Sequence, residues 1–133
     1  MKLNHYHTII MGISTMLCSL FGCKASADRF QSVSVKKFEQ CIADTNVVRL
    51  DVRTIDEFEE GHIAGAINID VLQPGFDKAC LSQLPKDKTI ALYCRSGNRS
   101  KKAAGILSRL KYKVVELDTG YMGWIKEGKS IEK

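Results

Sequence analysis

The chain has 133 residues, of which 44% are hydrophobic and 26% are charged, with 20 Lys and Arg against 15 Asp and Glu. This length holds one domain with a short extension and excludes two, and the composition is that of an ordinary globular protein. A domain of this size can be stable through its hydrophobic core alone, so its five cysteines are not required to form stabilising disulfide bonds.

The first 27 residues differ from the rest and predict an export signal. Lys2 lies near the start, the stretch 9–21 is apolar apart from small or hydroxyl residues, and no acidic residue precedes Asp28. This stretch would form a helix of about 20 Å, short of the roughly 30 Å hydrocarbon core of a bilayer, so a cleaved signal is favoured over a permanent transmembrane helix. A buried helix of the fold is disfavoured because the stretch has no polar face.

Two cleavage positions compete in this leader. The run Leu20-Phe21-Gly22-Cys23 resembles the bacterial lipoprotein lipobox, which would make Cys23 a lipid-modified N-terminus and a membrane tether. The run Ala25-Ser26-Ala27 offers an ordinary secretory site that would release a soluble chain beginning at Asp28. The lipobox is favoured despite Phe21, and both positions predict an exported protein, in the periplasm or anchored to a membrane of a bacterium.

From residue 30 onward, short apolar runs alternate with helical stretches. Strands are predicted at 31–33, 47–52, 66–69, 89–93 and 114–117, and helices at 34–44, 54–60, 76–84, 98–110 and 121–126. Ser34 and Thr54 are the expected N-caps, and Glu57 is the capping-box partner of Thr54. Strands that alternate with helices predict an α/β fold, with a central, mainly parallel sheet of about five strands and helices on both faces.

One loop combines a nucleophile with the features of an anion site. Cys94 directly follows the most continuous apolar strand, and the loop it opens leads into a helix through small, polar and cationic residues: Arg95, Ser96, Gly97, Asn98, Arg99 and Ser100. Ligands of open parallel sheets bind at the carboxyl ends of strands, where backbone N–H groups and a helix dipole converge. Together with the two arginines, these dipoles predict that Cys94 is largely thiolate at neutral pH. A buried structural cysteine before an incidental turn is the alternative.

The charges around this loop share one sign. Between Lys88 and Val115 every charged side chain is basic, although the segment from Asp28 onward has only 18 Lys and Arg against 15 Asp and Glu. Such a field steers small anions toward the loop. Nucleic acid is not an expected partner, because Tyr93 and Tyr112 are the only aromatic residues among these charges.

Three motifs make the segment from about Phe30 to Ile131 resemble a single-domain rhodanese. The motifs are Leu50 to Arg53 with Glu57-Phe58 and Gly61 to Asn68, the loop Cys94 to Arg99, and Gly120 to Trp124 with Gly128. One position departs from the pattern, since Thr119 stands where the family usually has a second glycine.

The resemblance implies a rhodanese-like fold over residues 28–133 and a sulfurtransferase activity. Cys94 would attack the outer sulfur of a small anionic donor such as thiosulfate, become a persulfide, and pass the sulfur to cyanide or a thiol acceptor, without a metal or organic cofactor. Backbone amides from Arg95 to Ser100 would hold the persulfide. The guanidinium groups of Arg95 and Arg99 are candidates for binding the sulfite moiety of the donor.

Other polar and sulfur-containing residues are expected to be structural. Asp51 and Arg53 should set the geometry of a neighbouring loop through hydrogen bonds and an ion pair, and His62 is interpreted as a turn residue rather than a base. Cys41 and Cys80 lie on predicted helices as buried thiols, although export leaves a disulfide between them open.

Two other functions compete with sulfur transfer. Phosphatases of the cell-cycle dual-specificity type share the fold and place a cysteine in an anion cup, but their pattern is Cys-x5-Arg. The run from Cys94 to Arg99 is Cys-x4-Arg, one residue shorter, which in the resembled family marks a cup sized for sulfur. A noncatalytic binding module would keep the fold and lose the cysteine, and the presence of Cys94 opposes that reading.

Overall fold

The computed structural model describes residues 29–133, in which strands and helices alternate along the chain. The strands are β1 (Gln31–Val33), β2 (Val48–Asp51), β3 (His62–Ile63), β4 (Ile67–Asn68), β5 (Ile90–Tyr93), β6 (Val114–Leu117) and β7 (Ile131–Glu132). The helices are α1 (Val35–Ile42), α2 (Ile55–Glu60), α3 (Phe76–Gln83), α4 (Asn98–Arg109) and α5 (Gly120–Lys126).

Five strands form one parallel sheet in the order β1-β6-β5-β2-β4. All four residues of the central strand β5 are buried, which explains its continuous apolar run, since a parallel strand covered on both faces needs no polar side. The predicted α/β architecture with five parallel strands is confirmed.

Helices cover both faces of this sheet, and successive residues of β5 show how. Ile90 and Leu92 pack with residues of α3 and α4 on one face, while Ala91 and Tyr93 pack with residues of α1 and α5 on the other. This alternation follows from the two-residue period of a strand. The protein thus has one hydrophobic cluster on each face of a single sheet.

The predicted helix starts are confirmed at both N-caps. The Lys37 N–H donates to Ser34 Oγ over 3.2 Å at the start of α1. At the start of α2, Thr54 and Glu57 form the reciprocal capping box, so this carboxylate is fixed within the first helical turn.

A second, two-stranded sheet was not predicted. In it β3 and β7 pair antiparallel, with His62 opposite Glu132 and Ile63 opposite Ile131. Strands of two residues leave no hydrophobic period in the sequence, so only the tertiary structure reveals them.

The predicted export signal, both cleavage positions and Cys23 lie outside the described residues. Within residues 29–133, no helix has the length and hydrophobicity required to cross a membrane.

Cys80 is a free thiol buried in the core between α3 and the sheet. The buried thiol expected for Cys80 is confirmed, and the disulfide to Cys41 that the sequence left open does not form. Burial, and to a smaller extent the charge of Asp77, raises the pKa of Cys80 to about 12, which keeps this sulfur a neutral thiol at physiological pH.

Candidate active site

Cys94 lies at the carboxyl end of β5, where the loop to α4 folds over its sulfur. The residue is only 1% exposed, and the backbone N–H of Gly97 donates to Sγ over 3.1 Å. Gly97 is also the N-cap residue of α4 and gives it no side-chain cap, so the first N–H groups of this helix remain available to an anion. The structure thus brings the predicted cysteine, loop and helix N-terminus together.

The loop is held from behind by the N-terminus of α5. The N–H of Tyr121 donates to Cys94 O over 2.8 Å, and the N–H of Met122 donates to Arg95 O over 3.0 Å. Gly120 permits this approach, since it has a φ of +65° and a Cβ at this position would lie 2.4 Å from Arg95 O. The third sequence motif therefore supports the loop that carries the cysteine.

Thr119 occupies the position of the family's second glycine without disturbing that contact. A Cβ on Gly123 would lie 2.0 Å from Thr119 Oγ1, so the threonine side chain fills space that a glycine one helical turn later leaves open. The departure from the pattern is thus compensated within α5.

The guanidinium of Arg99 is paired with a carboxylate of the protein. Its two terminal nitrogens donate to the two carboxylate oxygens of Glu57 over 2.7 and 2.9 Å, joining the start of α4 to the capping box of α2. The sequence proposed Arg99 as a sulfite ligand, and the structure makes it first a bidentate partner of Glu57. Arg95 is exposed and remains the candidate cation for the donor, beside the exposed Ser96 and Asn98.

A buried hydrogen-bond chain under Cys94 was not found from the sequence. The thiol of Cys94 donates to Ser100 Oγ over 3.3 Å, and Ser100 Oγ donates to Glu116 Oε2 over 2.5 Å. Glu116 is fully buried on β6. An acidic residue inside the apolar run of β6 is the signal that could have drawn attention to it, because buried carboxylates are rare without a specific partner.

Asp51 and Arg53 form the expected ion pair below the loop. Arg53 donates from Nε and a terminal nitrogen to the Asp51 carboxylate over 2.7 to 3.0 Å, and both side chains are almost fully buried. The guanidinium lies over the ring of Tyr121, 4.2 Å from its centroid. The predicted hydrogen bonds and ion pair are confirmed, and they connect the segment after β2 to the helix that supports the loop of Cys94.

His62 contacts residues of α2 and β7. Its ring stacks on Phe58 with a centroid distance of 3.7 Å, its Nδ1 lies 2.8 Å from Phe58 O, and its Nε2 lies 3.4 Å from Glu132. These contacts fasten the β3–β7 sheet to the end of α2, and none of them involves the loop of Cys94. Within residues 29–133 there is no cluster of His, Cys, Asp and Glu arranged to hold a metal ion.

The Glu57–Arg99 pair predicts a specific acid sensitivity. The guanidinium of Arg99 and, to a smaller extent, the bonds from Thr54 lower the pKa of Glu57 to about 2, against the opposing effect of burial. A carboxylate with a depressed folded-state pKa contributes stability that is present above its unfolded pKa and is lost as pH falls toward the folded value. Glu57→Gln should therefore cost about 1 kcal/mol at pH 6, and this difference should shrink between about pH 4.5 and 2. Chemical denaturation of both proteins across this range measures it, and a difference that stays constant with pH would contradict the assignment.

The fold and this site define a class: a parallel α/β protein with a buried cysteine at the carboxyl edge of the sheet, under the N-terminus of the following helix. The chain belongs to the rhodanese-like family, since the model of the rhodanese-like domain matches residues 34–127.

Individual relatives agree with that placement. The chain is 33% identical over 102 residues to a sulfurtransferase of Allochromatium vinosum, covering 74% of this chain and 92% of the relative. It is 35% identical over 89 residues to thiosulfate sulfurtransferase 16, a chloroplastic protein of Arabidopsis thaliana, covering 59% and 74%. The crystal structure of a rhodanese-related protein from Thermoplasma volcanium superposes with a TM-score of 0.67 at 31% identity, covering 77% of this chain and 97% of that one.

Proposed function

We propose that this protein is a sulfurtransferase that takes a sulfane sulfur from thiosulfate or a related donor as a persulfide on Cys94 and passes it to cyanide or a thiol acceptor. The observation that carries the proposal is the position of Cys94 Sγ under the N-terminus of α4, where it accepts the Gly97 N–H over 3.1 Å. Relatives named as sulfurtransferases, one of them for thiosulfate, support the same class of reaction.

The loop suits each step of such a transfer. The thiolate of Cys94 attacks the outer sulfur of thiosulfate, a new S–S bond forms, the bond to the sulfonate sulfur breaks, and sulfite leaves with the electron pair. The negative charge then lies on the outer sulfur, about 2 Å from Sγ, within reach of the loop N–H groups. Attack by cyanide on this outer sulfur releases thiocyanate and restores the thiolate, so the cycle needs no redox partner.

The surroundings of Cys94 favour small or slender partners. Sγ is buried, whereas Arg95 and Ser96 at the mouth of the loop are exposed. An anionic donor can contact the exposed guanidinium of Arg95 while its outer sulfur reaches Cys94, and a persulfide would bring the transferable sulfur closer to solvent and to the acceptor.

Thiocyanate formation from thiosulfate and cyanide tests the activity. The wild-type protein should form thiocyanate, and Cys94→Ser should lose this activity because an alkoxide is not available at neutral pH to replace the thiolate. Cys80→Ser is the matched control, since its sulfur is buried in the core and takes no part in the reaction. Hydrolysis of an aryl phosphate by the wild type, lost in Cys94→Ser and without thiocyanate formation, would support a phosphatase instead.

We also propose that the domain acts outside the cytoplasm, exported by the leader of residues 1–27 and held to a membrane by lipid on Cys23. The proposal rests on the apolar stretch 9–21 and the Leu20-Phe21-Gly22-Cys23 run. Expression of the full chain in a bacterium, followed by mass determination of the mature N-terminus, should show a diacylglycerol-modified Cys23. An unmodified N-terminus at Asp28 would show that the protein is secreted without a lipid anchor. An uncleaved chain in the cytoplasm would contradict export.

A further inference from the structure

A carboxylate lies buried two hydrogen bonds below the nucleophile. Glu116 is fully buried, and its two oxygens accept from Ser100 Oγ over 2.5 Å and from Ser32 Oγ over 2.6 Å. Ser100 Oγ is also the group that lies 3.3 Å from Cys94 Sγ. The sulfur and the carboxylate therefore share one intervening hydroxyl.

That hydroxyl has a single hydrogen, which cannot serve both neighbours. An ionised carboxylate can only accept, so it takes the hydrogen of Ser100 and leaves the hydroxyl lone pairs facing Cys94. Lone pairs suit a thiol, whose S–H donates to them, and they repel a thiolate. The Gly97 N–H, which donates to Sγ over 3.1 Å, acts in the opposite sense and favours the thiolate.

The charged groups around Glu116 do not cancel its charge. From α4, Lys101 Nζ lies 3.4 Å from Glu116 Oε2 but 2.9 Å from Asp118, and 42% of the lysine side chain is exposed. From the flanking strands, Ser32 of β1 and the apolar Leu92 of β5 lie opposite Glu116 in register. A lysine shared with a second carboxylate and screened by water compensates a buried charge only in part.

On the basis of the sulfurtransferase function proposed above, we propose that Glu116 is a positioning residue that acts through Ser100 to favour the thiol and the persulfide of Cys94 over its thiolate, against the effect of the loop dipoles. The bond changes remain those of the transfer itself. The thiol proton leaves to solvent, Sγ attacks the outer sulfur of the donor, and sulfite departs with the electron pair.

The persulfide gains from this arrangement because its charge is farther from Ser100. In the thiolate, the negative charge lies on Sγ, against the hydroxyl lone pairs. In the persulfide, Sγ is uncharged and the charge lies on the outer sulfur, about 2 Å from Sγ and toward the loop N–H groups. Glu116 thus raises the energy of the thiolate more than that of the persulfide, which drives loading of the site.

The pH dependence of Cys94 alkylation tests this role without any sulfur donor. Iodoacetamide modification of Cys94, followed by peptide mass spectrometry, should show a midpoint about one pH unit lower in Glu116→Gln than in the wild type, which is about tenfold faster alkylation on the acidic side. Glu39→Gln, the same chemical change in the exposed pair with Lys129, should leave the curve unmoved. In a Ser100→Ala background the shift caused by Glu116→Gln should be smaller, because the connecting hydroxyl is gone.

Two results of these alkylation experiments would contradict the proposal. A midpoint that stays or rises in Glu116→Gln overturns the proposal, and a full shift in the Ser100→Ala background overturns the part played by Ser100. If circular dichroism shows that Glu116→Gln does not fold, Ser100→Ala alone carries the test, since loss of the thiol's acceptor should also lower the midpoint.

A second readout separates this role from the proposed function. In a thiosulfate–sulfite buffer above the midpoint, Glu116→Gln should hold about tenfold less persulfide relative to thiolate than the wild type. An equal ratio in the two proteins would contradict the effect on loading. Failure of the wild type to form any persulfide would instead contradict the sulfurtransferase function, while the alkylation curve would still report on Glu116.

Discussion

Gly97→Ala should lower kcat for sulfur transfer by about 100-fold or more, the typical effect of losing one preorganised anion donor. Gly97 has a φ of +111°, and a Cβ there would lie 2.2 Å from the backbone oxygen of Asp118 and 3.1 Å from Lys101 Nζ. An alanine must move the loop away from Asp118, and its N–H then no longer reaches Cys94 Sγ. The backbone strain should also lower the free energy of unfolding by about 1–3 kcal/mol.

Gly105→Ala is the control for this substitution. Gly105 lies in the same helix, α4, and a Cβ there would meet nothing within 4 Å, so alanine should raise stability by about 0.5–1 kcal/mol and leave kcat unchanged. Steady-state thiocyanate kinetics and chemical denaturation of the two variants make the comparison. Near-normal kcat in Gly97→Ala would show that the loop amide does not stabilise the reacting sulfur.

Arg53→Met should destabilise the protein by about 3–5 kcal/mol, because it leaves the buried carboxylate of Asp51 without its counterion. The side chains of this pair are 4% and 0% exposed, and Arg53 also donates to Gly61 O over 2.6 Å. Adding Asp51→Asn to Arg53→Met should recover part of the loss, since the uncompensated charge is then removed.

The surface pair Lys129–Glu39 provides the matched comparison. Its side chains are 28% and 49% exposed, so Lys129→Met should cost about 1 kcal/mol or less. Urea denaturation at neutral pH measures the free energy of unfolding of the wild type and of the three variants. A loss in Arg53→Met no larger than that in Lys129→Met would mean that the Asp51 carboxylate is solvated in solution.

The parallel sheet could be predicted because its strands carry local signals. The apolar run of β5 and the caps at Ser34 and Thr54 depend on neighbours in sequence, so the order of elements follows from the sequence alone. The loop after Cys94 could be predicted for the same reason, since the cysteine, the glycine and the helix start are contiguous in the chain.

The contacts that were missed join residues distant in sequence. Glu57 and Arg99 are 42 residues apart, and Ser100 and Glu116 are 16 apart. No local pattern shows that the guanidinium of Arg99 pairs with Glu57 in the capping box of α2. Nor does a local pattern show that Glu116 of β6 accepts a hydrogen bond from Ser100. The sequence therefore predicts the position of Cys94 and of the loop over it, whereas the ion pair and hydrogen bonds around them depend on the tertiary structure.

Mass spectrometry of the intact protein after incubation with thiosulfate tests whether Cys94 carries the transferred sulfur. The wild-type protein should gain about 32 Da, one sulfur atom. The added sulfur should map to the peptide that contains Cys94, and cyanide should remove it. Cys94→Ser should show no such gain. The absence of an adduct on the wild-type protein with any sulfane donor, or an adduct that persists in Cys94→Ser, would contradict the assignment of Cys94 as the residue that carries sulfur.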